Sequence, residues 1–130
     1  MCRVFVGADS RLWESQTRSL RMDGMVTSVR LENMFWSVLE DIAAEEGLNV
    51  PQLMHQLYNE SLDEGHDLGN FTSFLRVCCL RFIDLQRRGL LQGGQNEALS
   101  ADQILRLEAE AHLSRGKERV GASRHTGNRH

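Results

Sequence analysis

The side chains in this sequence best suited to chemistry are two histidines and a pair of adjacent cysteines. His55, His66, Cys78 and Cys79 are of the types that bind zinc or nickel. Neighbouring residues on a helix point about 100° apart, so adjacent cysteines seldom bind the same ion. We therefore predict no metal site from these residues.

Cys2 would become the N-terminal residue if Met1 were removed, and some amidotransferases use an N-terminal cysteine as their nucleophile. Such enzymes need a much larger fold than 130 residues provide. No Ser/His/Asp set, phosphate-binding loop or pair of carboxylates stands out elsewhere. The sequence predicts that the protein is not an enzyme and has no catalytic residues, no cofactor and no small-molecule ligand.

The composition is that of an ordinary globular domain, but the charges are strongly segregated. Residues 32–69 contain nine Asp or Glu and no Lys or Arg. Residues 1–31 carry a net charge of +2 and residues 115–130 carry +4. The total of -3 would by itself argue against a nucleic-acid partner, but basic segments on both sides of an acidic one leave that partner open.

The sequence predicts a cytoplasmic protein. Three cysteines without metal-like spacing favour a reduced compartment. No apolar run approaches the roughly 20 residues of a membrane span, so we expect no membrane association. The apolar part of residues 1–6 is too short for a signal peptide.

Most of the chain has helical periodicity. Residues 32–46 form the clearest helix, with a core-facing stripe of Phe35, Val38, Leu39, Ile42 and Ala43. Two residues separate it from a second helix over 50–62, for which Asn49 is the N-cap. A third helix is expected to begin at Asn70 or Thr72 and end at Arg88, and a weaker one runs from Ser100 to Leu113.

Upstream of these helices the period changes from 3.6 to 2. Residues 25–31 alternate, which predicts a strand. The Asp23-Gly24 pair is a strong hairpin signal and makes residues 18–22 a possible partner strand. Residues 2–6 are a candidate for a further short strand. Whether the hairpin extends the ribbon or folds over its face stays open at this point.

The strand and the two helices after it cannot bury their apolar stripes within about 40 residues. A two-fold dimer, with strands paired antiparallel and helices interlocked, would cover them. The fold class predicted is therefore mainly α with a short β-ribbon, in an intertwined dimer with additional C-terminal helices. Residues 1–24 would form an N-terminal arm and 25–92 the core with its third helix. Residues 93–114 would be a linker with the weak helix, and 115–130 a disordered basic tail.

Residues 25–62 resemble the ribbon-helix-helix repressors of the Arc/MetJ type. The matching runs are Val29-Arg30-Leu31-Glu32 and Ile42-Ala43-Ala44-Glu45-Glu46-Gly47-Leu48-Asn49-Val50. Residues 23–33 and 70–81 are also similar to a bacterial ribbon-helix-helix subfamily. The resemblance implies a homodimeric transcriptional regulator that reads double-stranded DNA in the major groove with its β-ribbon.

The resemblance also implies which residues contact DNA. Alternate ribbon residues read base edges in the family, and by position these are Val26, Ser28 and Arg30. The family holds a phosphate at the N-terminus of its second helix, here Asn49 and Val50. Two features depart from the pattern: Val26 could contact only a thymine methyl group, and Pro51 removes one amide from that helix terminus.

Further assignments complete the predicted site. The flanking Arg18 and Arg21 are expected at DNA phosphates. The predicted dimer core consists of Val29, Leu31, Phe35, Leu39, Ile42, Leu53 and Leu57.

An alternative from another functional class keeps the fold without DNA reading. The acidic helices and Val26 favour a protein-interaction or dimerisation module, whereas Arg30, Ser28 and the flanking arginines favour a regulator. The sequence names neither the operator nor the regulated genes.

Overall fold

A computed structural model of the chain describes residues 1–22, 24–91 and 100–111. Its elements, in chain order, are α1 (Cys2–Val6), β1 (Ser15–Met22), β2 (Met25–Glu32), α2 (Asn33–Glu45), α3 (Val50–Asp63) and α4 (Phe71–Arg87). A fifth helix, α5, covers residues 101–111. Short 3₁₀ turns lie at Ser10–Leu12 and Leu68–Asn70. The basic tail predicted over 115–130 lies outside the described residues.

β1 and β2 form an antiparallel hairpin. Pairing runs from Ser15 with Glu32 to Met22 with Met25, so two residues make the turn. Gly24 has a φ of +75°, a conformation that two-residue hairpin turns require and that glycine adopts without a Cβ clash. The hairpin predicted from Asp23-Gly24 is confirmed: β1 lies beside β2 in one sheet and does not fold over its face.

The helices form where their periodicity predicts them, within about one or two residues at each end. α2 ends before Gly47, whose φ of +68° suits a left-handed helix terminus. α3 begins with Pro51 in its first turn, where a missing N–H has little consequence. The core is built mainly from one face of the hairpin, α2, α3 and α4, and its members are Leu20, Val29, Leu31, Trp36, Val38, Leu39, Ala43, Val50, Leu53, Met54, Leu75 and Cys79.

The strand predicted for residues 2–6 was wrong, because Cys2–Val6 is a helix. Its bonds are local: the amide of Gly7 donates to the carbonyl oxygen of Arg3 at 2.9 Å. A strand needs a neighbouring strand to satisfy its backbone groups, whereas one helical turn satisfies part of them within the segment. None of the residues of α1 is buried.

A single chain covers most of the apolar surface that was expected to require a second copy. Val29, Leu31, Leu39 and Leu53 are all buried within one chain. One strand and two helices would leave these stripes uncovered, but β1 and α4 add to the same core. Burial of the helical stripes therefore does not by itself demand a dimer.

The chain divides into two compact units, Met1–Asp84 and Leu85–His130. The first contains the hairpin, α2, α3 and most of α4. In the second, Ser100 and Gln103 form reciprocal side-chain-to-backbone hydrogen bonds of 2.8 Å and 3.2 Å at the start of α5. This is the N-cap expected at Ser100.

Candidate nucleic-acid interface

One face of the hairpin is open, and we refer to it as the outer face. Its side chains alternate with the buried ones, and every one of the following is exposed: Ser15, Thr17, Ser19 and Arg21 on β1, and Val26, Ser28 and Arg30 on β2. Successive residues of a strand point to opposite faces, so this set follows directly from the burial of Leu20, Val29 and Leu31 on the other side.

The register brings the outer-face side chains into close pairs across the two strands. Arg21 lies opposite Val26, Ser19 opposite Ser28, and Thr17 opposite Arg30. Arg21 and Thr17 are four residues apart on β1, so the two arginines stand roughly 14 Å apart along the ribbon. The three residues predicted to read bases therefore share one open surface with three polar residues of β1.

The hydrogen-bond pattern of the hairpin determines which backbone groups point away from the neighbouring strand, toward a free edge of the sheet. The amide of Asn33 donates to the carbonyl oxygen of Glu14 at 2.8 Å, so this pair is of the hydrogen-bonded type. Bonded and non-bonded pairs alternate along an antiparallel ladder. Thus Thr17 with Arg30, and Ser19 with Ser28, are non-bonded pairs, whose side chains approach most closely.

Non-bonded pairs turn their N–H and C=O groups away from the neighbouring strand. The outward groups on β2 belong to Val26, Ser28 and Arg30, and those on β1 to Thr17, Ser19 and Arg21. No other backbone group within the described residues bonds to them. Each residue that presents a side chain on the outer face thus also presents backbone groups at a free edge of the sheet.

Arg18 lies on the helix-facing side of β1, away from Arg21. Its guanidinium is 4.5 Å from the ring centroid of Trp36 and donates to Glu40 at 3.2 Å. Trp36, almost fully buried, donates its indole N–H to the carbonyl oxygen of Gln16 at 2.9 Å. Arg18 therefore connects β1 to α2, and the two arginines predicted together at phosphates point to opposite sides.

Two of the backbone amides at the N-terminus of α3 are bonded to side chains of the same turn. Asn49 accepts a hydrogen bond from the Gln52 amide at 2.9 Å, and Gln52 accepts one from the Asn49 amide at 2.9 Å. With Pro51 lacking an amide, the predicted phosphate anchor at Asn49 and Val50 has few donors to offer.

An ion pair neutralises the acid at the end of β2. Arg76 of α4 donates to the Glu32 carboxylate at 3.1 Å and 2.9 Å. These hydrogen bonds from Arg76 hold the pKa of the Glu32 carboxyl below its ordinary value. The pair also connects α4 to the junction between the ribbon and α2.

The remaining predicted core residues, Phe35, Ile42 and Leu57, are partly buried and pack against the core of the same chain. All seven residues assigned to a dimer core thus lie in or beside the core of the single chain. Their contribution to an interface between copies stays a prediction.

Within the described residues, His55, His66, Cys78 and Cys79 do not assemble into a metal site. Across the described part of the chain, no three His, Cys, Asp or Glu side chains come together as a metal would require. The Cys79 thiol is buried, which raises its pKa to about 12, and it donates to the carbonyl oxygen of Phe35 at 3.6 Å. Cys79 is accordingly a core residue of α4.

Sequence reasoning missed Thr17 and Ser19 as candidate interface residues. The signal that could have found them is the two-residue turn, which sets the register: with Met22 opposite Met25, residues whose numbers sum to 47 are partners. That rule puts Thr17 beside Arg30 and Ser19 beside Ser28.

A pair of antiparallel strands, followed by two helices that a short loop connects, is the architecture of β-ribbon regulators. The profile of the ribbon-helix-helix domain matches residues 15–83, more than half of the chain. The chain therefore belongs to the ribbon-helix-helix family, whose members are typically DNA-binding regulators and not enzymes.

The fold has a close counterpart among solved structures. It is similar to an uncharacterized protein from Bordetella pertussis Tohama I, with 47% sequence identity and a TM-score of 0.74. The match covers 82% of this chain and 87% of that one. No protein with curated function matches. Within the described residues, no helix has the length and apolarity to cross a membrane.

Proposed function

We propose that the protein is a homodimeric, sequence-specific DNA-binding transcriptional regulator that reads the major groove with the outer face of its ribbon. The observation that carries the proposal is the outer face itself, on which Arg21 and Arg30 project with four hydroxyl groups and every side chain is exposed. Guanidinium and hydroxyl groups are the donors that read base edges and hold phosphates.

The arrangement of charge supports this function. α2 packs against β2 and α3 against β1 on the face opposite the outer face. The acidic segment 32–69 therefore lies mainly behind the ribbon, on the side turned away from DNA. A net charge of -3 is compatible with DNA binding when the basic and polar groups share one face.

The free edge of β2 supports the homodimer. Unpaired strand edges readily pair with another strand, and β2 presents the amides of Val26, Ser28 and Arg30 there. Antiparallel pairing of β2 with the same strand of a second copy would put two Arg30 side chains in one major groove, related by the dimer axis. We accordingly expect an inverted repeat as the target.

DNA binding is tested with the full chain by selecting bound sequences from a random duplex pool. We expect Arg30→Ala to reduce binding of the selected sequence by roughly tenfold or more per arm and to leave weak non-specific binding largely intact. Arg11→Ala is the matched control, since it removes an exposed arginine outside the ribbon. Equal binding of the selected duplex by Arg30→Ala and the wild type would exclude the ribbon as the reader.

The dimer is tested by removing one edge amide at a time. Ser28→Pro deletes an N–H that points away from β1 and so leaves the hairpin bonds intact. We expect it to convert the dimer into a folded monomer in sedimentation equilibrium. Ser19→Pro makes the same change at the β1 edge and should leave the dimer unchanged. A dimer in both variants would argue against pairing through β2.

A second candidate is a protein-interaction module on the same fold. The observation that favours it is the exposed apolar side of α4, where Val77, Leu80 and Ile83 recur at helical spacing. Such a module, with its acidic helices, should not retard random-sequence duplex DNA at low salt, whereas a regulator should bind it weakly through phosphates.

A further inference from the structure

We propose that β1 binds the DNA phosphates on the walls of the major groove while β2 reads the bases. In the homodimer with two copies of β2 paired, β1 is the outer strand on each side. The ligand is the phosphodiester backbone, and the groups that hold it are the side chains of Thr17, Ser19 and Arg21. This inference rests on the proposed function. It extends the phosphate contact predicted for Arg21 to the outer face of β1 as a whole, and it gives this strand the role that was predicted for the start of α3.

The spacing of strands determines where β1 stands relative to the groove. Neighbouring strands lie about 4.8 Å apart, so with two copies of β2 paired across the dimer axis, β1 stands about 7 Å from that axis. The major groove is about 12 Å wide, which puts its walls about 6 Å from the same axis. Side chains of β2 thus enter the groove, whereas β1 stands over the phosphates.

The outer face of β1 carries hydrogen-bond donors suited to phosphate. Its outer face carries three hydroxyls and one arginine and no acidic side chain, from Ser15 to Arg21. The side chains of Thr17, Ser19 and Arg21 project from the outer face toward the DNA. Hydroxyls and guanidinium groups are donors that phosphate oxygens accept from.

The other groups predicted at phosphates, at the start of α3 and at Arg18, offer fewer donors to DNA than Arg21 does. At the start of α3, the Asn49 and Gln52 amides are already bonded within the chain and Pro51 has none, so the Val50 amide is the remaining donor there. Arg18 is held between Trp36 and Glu40 on the helix-facing side. Arg21, by contrast, is exposed on the outer face and has no ion-pair partner among the described residues.

The test compares the salt dependence of binding to a random-sequence duplex for the wild type, Arg21→Gln and Arg11→Gln. Each phosphate neutralised contributes about 0.9 to the slope of log affinity against log salt. With two copies in a homodimer, Arg21→Gln should make the slope shallower by about 2. Arg11→Gln removes an equal charge outside the ribbon and should leave the slope near that of the wild type.

Neutral contacts give a second, independent measurement. The double variant Thr17→Val, Ser19→Ala removes two hydroxyls without changing any charge, and valine favours the strand. We expect its affinity to fall about tenfold at every salt concentration, with the slope unchanged. All variants should keep the order in which the wild type prefers selected sequences, because phosphates are the same in every sequence.

The outcomes separate this inference from the proposed function. If the wild type binds DNA but Arg21→Gln keeps the wild-type slope, or changes which sequences are preferred, β1 does not hold phosphates. That result leaves base reading by Arg30 intact. If the wild type binds no duplex even at low salt, the proposed function fails and this inference fails with it. Melting temperatures close to that of the wild type show that the variants are folded.

Discussion

The two faces of the β1–β2 hairpin are made by the same sixteen residues of alternating sequence, yet they differ in almost every property. The helix-facing side buries Leu20, Val29 and Leu31, and it holds Arg18 in contact with Trp36. The outer face buries nothing except part of Glu32 at its end. One hairpin thus combines a core element and a recognition surface because side chains alternate while the backbone is shared.

Position in the alternation matters more than residue type in this hairpin. Arg18 and Arg21 are both arginines of β1, three residues apart, and therefore on opposite faces. The guanidinium of Arg18 contacts the ring of Trp36 and the carboxylate of Glu40, whereas Arg21 faces solvent. A substitution on the helix-facing side should change stability, and one on the outer face should change binding.

The largest difference is expected between neighbours in β2. Leu31→Ala removes a fully buried side chain from the core and should lower the free energy of unfolding by about 3 kcal/mol. Arg30→Ala, one residue earlier, should change it by less than about 0.5 kcal/mol. Urea unfolding at one fixed protein concentration measures both. Equal effects would mean that the two faces do not differ as described.

A smaller effect is expected from the tryptophans. Trp36→Phe removes the indole hydrogen bond to Gln16 and leaves a space in the core, so we expect a loss of about 2 kcal/mol. Trp13→Phe is the control, because Trp13 is 55% exposed. Thermal unfolding of the two variants should therefore separate them clearly. A normal melting temperature for Trp36→Phe would contradict the role of the indole in joining α2 to β1.

The cap of α3 separates stability from DNA binding. Asn49→Ala removes the capping box and should lower stability by about 1 kcal/mol. If β1 holds the phosphates, the affinity of this variant for random-sequence duplex should equal that of the wild type at a temperature where both are folded. The substitution releases the Gln52 amide, so a change of affinity in either direction as large as that of Arg21→Gln would return the phosphate anchor to the helix terminus.

The smallest effect concerns the Glu32–Arg76 pair at the border between the two faces. Glu32→Gln should lower stability at neutral pH by a few tenths to about 1 kcal/mol, since both side chains are partly exposed. The pKa of Glu32 is lower in the folded chain than its ordinary value of 4.5. The stabilisation is therefore present above about pH 4.5 and is lost as the pH falls through the folded-state pKa.

Unfolding measured from about pH 7 to about pH 3 checks this sign. The wild type and Glu32→Gln should converge in stability at the acidic end, because protonated Glu32 no longer pairs with Arg76. A difference that grows toward low pH would mean that the carboxylate is not stabilised by the guanidinium.

Local sequence determined the elements of this protein to a large extent. The alternation of residues 25–31, the turn at Gly24 and the stripes of α2 and α3 depend on neighbours along the chain, and all three are present where they were predicted. That Val26, Ser28 and Arg30 lie on one side of the strand also followed from period 2, whereas their role as base readers came from the family resemblance. These features are local because backbone conformation and side-chain spacing are decided within a few residues.

Only the tertiary structure decided what surrounds those elements. Residues 2–6 form a helix with local hydrogen bonds and pair with neither strand of the sheet. α4 contributes Leu75 and Cys79 to the core. Arg76 reaches Glu32 across 44 positions of sequence. The inward direction of Arg18 required α2 on one side of the sheet. Each of these depends on which surfaces meet in space, and contacts between distant segments leave no periodic signal in a single sequence.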